Sequence, residues 1–180
     1  AFMLYEGLHL TPDGERELRA FGNEIEDLKR TFMEKNPDLK MTQRMRDAME
    51  RTTVTLQRSP DAGGLMYKRD MLPKEFLKFC VDSKVAEKMK IVNNEAESVR
   101  ARKQAAVELC QFCEHLHIFR DGNGRVFEME MLWRLYHDID GSLPLVPYPG
   151  VMDGHSVAEL LALYDAASEE SRQWRKTEPA

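Results

Sequence analysis

The sequence predicts a mainly α fold. Apolar residues recur at alternating spacings of three and four along most of the chain. The first stripe opens on a residue of N-cap type, and the breaks between stripes fall on Pro, Asn or Gly. Runs with a period of two are short, so the chain has room for at most one small β-hairpin.

The first helix is predicted from about Thr11 to Asn36. Thr11 is the N-cap, Pro12 takes the first helical position, and Asp13 and Glu15 suit the positive end of the dipole. Leu18, Phe21, Ile25, Leu28 and Phe32 form its apolar stripe, and Pro37 ends it. A second helical stretch is predicted from about Leu39 to Arg58, with Met41, Met45, Ala48, Met49 and Leu56 on a looser stripe. Ser59 to Gly64 is the strongest turn cluster, and the short run Leu65 to Asp70 reads equally as strand or loop. Pro73 reopens a helix that carries Phe76, Phe79 and Cys80 and runs unevenly to Val92, where Asn93-Asn94 breaks it. From Glu95 a long helix carries Val99, Ala106, Leu109, Cys113 and Leu116, and it stops in Asp121-Gly122-Asn123-Gly124. Val126, Met129, Trp133 and Tyr136 are predicted to be the buried stripe of the next helix. Ser142 to Gly154, with three prolines, is an irregular crossing, and Ser156 to about Ser171 is the last helix.

At 180 residues the chain is long enough to close one core without disulfides. Twenty-six basic against thirty-one acidic residues give a net charge of −5, which argues against a nucleic-acid binder. No apolar run reaches a membrane span, and no signal-peptide core follows Ala1, although starting on alanine is what a processed or excised fragment would show. Three cysteines cannot close a disulfide framework. They point to a reducing compartment and a cytoplasmic site of action, which a secreted effector delivered to a host cytosol would share.

Chemistry concentrates between His115 and Glu128. A glycine-spaced loop between two helices presents backbone N–H groups at the start of the second helix, where unpaired donors and the macrodipole favour an anion. Arg125 adds a positive charge suited to phosphate, and Asp121 is a hard oxygen ligand suited to Mg²⁺. His117, at the end of the preceding helix, is placed to take a proton near neutral pH. A base, a metal carboxylate and an anion cradle this close together indicate phosphoryl or nucleotidyl transfer.

His117, Phe119, Asp121, Gly122, Asn123, Gly124 and Arg125 stand in unbroken register with the pattern H-x-F-x-D/E-G-N-G-R-x-x-R. In these residues the chain resembles the Fic domain family. The resemblance implies a Fic-like helical bundle over about residues 40 to 170. Residues 1–38 would then be an N-terminal helical extension and 39–180 the catalytic domain. It implies transfer of AMP, or a related group, from a nucleotide donor to a Tyr, Ser or Thr hydroxyl of a target protein. His117 would be the general base and Asp121 would hold Mg²⁺. Gly122, Asn123 and Gly124 would stabilise the α-phosphate, Arg125 would bind the departing phosphates, and Phe119 would be a core anchor. A β-hairpin flap would dock the target protein, for which Gly63 to Met71 is the candidate.

Glu128 departs from the pattern. It stands where the family's last Arg clamps the γ-phosphate of ATP, and is expected either to repel phosphate or to pair with Arg125 at i, i+3. On that reading Glu128→Arg would strengthen ATP binding. The departure leaves the donor open between ATP and donors of UMP, phosphate or phosphocholine, and marks residue 128 for donor specificity. Many members are silenced by a glutamate, in an S/T-x-x-x-E-G/N helix, that grips this Arg. Thr11…Glu15 and Ser83…Glu87 match only in part, so no autoinhibition of that type is expected, while an inhibitory or activating partner protein remains compatible.

Three alternatives accompany this reading. A lapsed Fic fold would bind nucleotide or protein without transfer. Asp121, Asn123, Gly124, Val126 and Glu130 also match an EF-hand calcium loop, with Phe119 in place of the first ligand. Cys110, Cys113, His115 and His117 are metal-ligand types, but most lie on one predicted helix, where the cysteines read as core and His115 as a surface or satisfied group.

Overall fold

A computed structural model describes residues 2–4, 10–51, 55–58, 65–68, 72–119, 121–146 and 150–177, and its fold is mainly α. Helix α1 (Pro12–Lys35) forms as its sequence dictates. The Thr11 hydroxyl accepts the Gly14 N–H at 2.9 Å, and all five residues of the apolar stripe are buried. Helix α2 (Gln43–Arg51) is shorter than its periodicity implied. Farther along the predicted stretch Thr55–Arg58 is a strand, in keeping with the β-branched residue that starts it.

Strands β1 (Phe2–Leu4), β2 (Thr55–Arg58) and β3 (Leu65–Lys68) pair antiparallel in the order β1-β3-β2, with Leu56 opposite Tyr67. The candidate docking segment Gly63 to Met71 therefore contributes the central strand, and its other residues lie outside those described. Both edges of β3 are paired, so β3 itself cannot take up a target strand; only the outer edges of β1 and β2 could.

Helix α3 (Lys74–Cys80) runs through a π-helical turn, Val81–Val85, into α4 (Ala86–Val92). Helix α5 (Val99–Leu116) starts where the Ser98 hydroxyl accepts the Ala101 N–H, four residues later than its stripe implied. Past the glycine loop, a π-helical segment Arg125–Met131 leads into α6 (Leu132–Asp140). A 3₁₀ turn, Val151–Asp153, precedes α7 (Val157–Thr177), which Ser156 and Glu159 open as a capping box.

Helix α5 is the axis between two cores. Ala106, Leu109, Cys110 and Cys113 pack against Phe127, Leu132 and Tyr136 and against Leu160 and Tyr164 of α7. The α1 stripe, with Phe76 and Cys80 of α3, packs around Leu116, at the end of α5 that precedes His117. The two cysteines of α5 are buried side chains of the first core. Burial pushes both thiols up, that of Cys113 to about 12.

Helices α1 and α7 hold each other's ends. Glu17 accepts the Val157 N–H at 2.7 Å, and Glu159 accepts the Thr11 hydroxyl at 2.7 Å. Gly14 makes this approach feasible, since a Cβ there would lie 2.3 Å from the Gly154 carbonyl oxygen. A buried Lys103 ties α5 to α6 and α7 through Asp140 at 2.8 Å and Asp165 at 3.3 Å, with its ammonium 4.7 Å from the centre of the Tyr136 ring. Among the described residues, no helix is long and apolar enough to cross a membrane.

Candidate functional site

Leu116 and Ile118, the two neighbours of His117, pack against the α1–α3 core, so the turn carrying the histidine is held from beneath. His117 ends α5 in the left-handed conformation, at φ 49° and ψ 55°. Among the described residues it is the one side chain other than glycine with positive φ. Such a conformation costs energy outside glycine and concentrates at functional turns. The Glu114 carbonyl oxygen accepts both the His117 backbone N–H and ring Nδ1, each at 2.9 Å. A carbonyl can only accept, so Nδ1 carries the proton, and the neutral ring has its basic lone pair on Nε2.

The loop then closes on itself. Asn123 is 3 % exposed; its side-chain oxygen accepts the Phe119 N–H and its side-chain nitrogen donates to the Phe119 carbonyl, both at 2.9 Å. That carboxamide frames the loop instead of presenting itself to a phosphate, as the motif had implied. Gly122 takes φ +79°, where a side chain would be strained and its Cβ would lie 3.2 Å from the Arg125 guanidinium. The first intrahelical bond runs from the Val126 N–H to the Gly122 carbonyl at 3.0 Å. The N–H groups of Asn123, Gly124 and Arg125 precede it and so have no acceptor within the helix, which leaves an anion-binding terminus. The Gly122 N–H is already taken by Asp121 at 2.8 Å.

The Asp121 side chain is 94 % exposed and that of Arg125 74 %, with 3.6 Å between their nearest charged atoms. At that separation in water the attraction is weak, and both side chains can turn to a ligand. An exposed carboxylate beside a helix N-terminus fits Mg²⁺, which takes one or two carboxylates together with phosphate oxygens and water. Phe119 is not the core anchor expected: it is 45 % exposed and stacks on buried Phe127 with 5.6 Å between ring centres. His115 is buried, not superficial, tilted against Phe21 and 3.8 Å from Asp153.

Glu128 requires the largest correction. It neither faces the loop nor pairs with Arg125. It is 1 % exposed and points into the core, where it accepts the Gly150 N–H at 2.7 Å and the Tyr164 hydroxyl at 3.0 Å. Burial raises its carboxyl above the ordinary 4.5, against the hydrogen bonds from Gly150 and Tyr164. The cause of its placement is the π-helical segment. Hydrogen bonding from i to i+5 widens the turn, so residues three apart no longer overlie one another. The same widening moves Met129 and Trp133 off the buried stripe, which passes instead through Phe127, Leu132, Leu135, Tyr136 and Ile139. The partners of Glu128 lie 22 and 36 residues away, and no local pattern could have announced them.

Among the described residues, no group of three or more His, Cys, Asp or Glu side chains converges on a metal position. Residues 125–131 are helical, so Glu130 lies on the helix that leaves the loop holding Asp121. No protein-family model, curated protein or solved structure matches the chain.

Proposed function

We propose that the chain is a Fic-type transferase that moves a nucleoside monophosphate, or a related phosphate-linked group, from a nucleotide donor to a hydroxyl of a target protein. The observation that carries the reading is the orientation of His117. Its Nδ1–H is anchored on the Glu114 carbonyl, so the basic nitrogen is Nε2, one loop away from a helix terminus able to hold phosphate. In the transfer, the target hydroxyl oxygen forms a bond to the α-phosphorus and its proton passes to His117 Nε2. The bond from that phosphorus to the bridging oxygen breaks, and the remaining phosphate leaves with the electron pair. The amides of Gly124 and Arg125 and the Arg125 guanidinium would stabilise the charge that develops. Asp121 would hold Mg²⁺, whose contribution when bound is to neutralise phosphate charge.

A module that binds nucleotide without transfer is the second reading. It is favoured by Glu128, which leaves the motif's last position with no cation to offer a phosphate. Incubation with α-labelled nucleotides, Mg²⁺ and a cell lysate separates the two. Transfer requires protein labelling that His117→Ala abolishes. Nucleotide binding without labelling, equal in the native chain and in His117→Ala, would establish the second reading.

A further inference from the structure

Beyond the glycine loop, a groove of about 620 Å³ runs along the outer face of the π-helical segment and α6. Arg125, Met129, Trp133 and His137 follow at intervals of four, and Leu143 from the crossing segment forms the opposite wall. Four-residue steps drift steadily around an α-helix of 3.6 residues per turn. The wider π turn at the start offsets that drift and keeps the four on one line.

Charge along the groove is graded. At the loop end Arg125 is exposed and only loosely attended by Asp121. At the far end Asp138 accepts from Arg134 at 2.9 Å and lies 3.6 Å from His137, so the positive charge there is already answered. Between the two ends the floor is Met129 and Trp133, with the exposed carboxylate of Glu130 beside them on the lining. The Trp133 indole N–H is buried with no acceptor among the described residues, a penalty that a phenylalanine would not carry. The position thus keeps the broad indole in spite of its N–H.

A groove with a cation at one end and an apolar aromatic floor beyond it matches a ligand with phosphate at one end and a flat uncharged ring at the other. From Arg125 to Trp133 is about two helical turns, roughly 11 Å, a span that the phosphate–ribose–base chain of a nucleotide covers. We infer that this groove is the base subsite of the nucleotide donor, with the base stacked on Trp133 and walled by Leu143. The inference rests on the transferase reading for the phosphate position and adds where the rest of the donor lies.

The test is calorimetric titration of the native chain with Mg²⁺ and each of ATP, GTP, CTP and UTP, beside inorganic tripolyphosphate, which has no base. The tightest nucleotide should bind about tenfold more strongly than tripolyphosphate, the scale of one base–aromatic stack. Trp133→Leu and, at the wall, Leu143→Gln should each remove most of that advantage and leave tripolyphosphate affinity unchanged, while Arg125→Ala should weaken every ligand. In Trp174→Phe, which leaves Trp133 as the sole tryptophan, the tightest nucleotide should quench the emission and tripolyphosphate should not. A nucleotide advantage that both groove variants retain, or a native chain that binds tripolyphosphate as tightly as any nucleotide, would overturn the base subsite alone. A native chain that binds none of the five would overturn the transferase reading and this inference together.

Discussion

Replacing Glu128 by arginine restores the residue that the motif demands, yet the structure predicts harm instead of repair. The Glu128 carboxylate is enclosed and accepts from the Gly150 N–H and the Tyr164 hydroxyl. A guanidinium in its place would set donors against donors and leave a positive charge with no carboxylate. Uncompensated buried charge costs about 3–5 kcal/mol. A domain of this size loses about 2–4 °C of melting temperature per kcal/mol, so Glu128→Arg should melt roughly 6–20 °C below the native chain. Glu128→Gln keeps the volume and one acceptor, and should cost about 1–3 kcal/mol. Thermal unfolding followed by circular dichroism measures both, and calorimetry with Mg²⁺–ATP measures binding. The structure predicts no gain in ATP affinity for Glu128→Arg. A variant that melts within about 2 °C of native and binds ATP more tightly would refute the inward placement of Glu128.

Four further outcomes follow from the geometry. Because burial holds the Glu128 carboxyl above 4.5 in the folded chain, the folded state binds its proton more tightly than the unfolded state does. This carboxyl therefore favours folding below about pH 4.5 and ceases to do so as pH rises through its raised value; the native-minus-Glu128→Gln difference in urea stability should shrink over that window. Gly14→Ala drives a methyl into the Gly154 carbonyl and should cost about 1–3 kcal/mol, read as a lowered melting temperature. Asn123→Ala strands both backbone groups of Phe119, so exchange of the Phe119 amide proton should quicken and stability fall by about 1–3 kcal/mol. At position 117, valine should be about 1–2 kcal/mol less stable than glycine, because φ of 49° strains a β-branched side chain, and under the proposed transfer neither variant should label protein.

Helix α1 was legible almost to the residue because its cap, its Pro and its 3.6-residue stripe all sit on one exposed-to-buried helix. The glycine loop was legible for the same reason: Gly122 is needed for its positive φ, and Asp121 and Arg125 face solvent as their charges require. Strand β2 was missed because Met41, Met49 and Leu56 also fit a helical spacing, and the stripe was followed past the β-branched residue that starts it. Glu128, Met129 and Trp133 were misplaced by one shared cause, an α period assumed where the backbone is π-helical. The burial of His115 was not legible, because what encloses it, Phe21 and Asp153, arrives from distant parts of the chain.

The mutual capping of α1 and α7 has a consequence for biosynthesis. The groups that tie the two helices stand 140 and 148 residues apart. At about 5–20 residues per second of synthesis, α1 leaves the ribosome on the order of ten seconds before the carboxylate and amide that fix it exist. The core that covers Leu18, Phe21, Ile25, Leu28 and Phe32 is drawn from α3 and the end of α5, both of which emerge within that interval. The histidine turn can therefore come to rest on its core before α7 exists, and the clasp between α1 and α7 closes over a turn already supported from beneath.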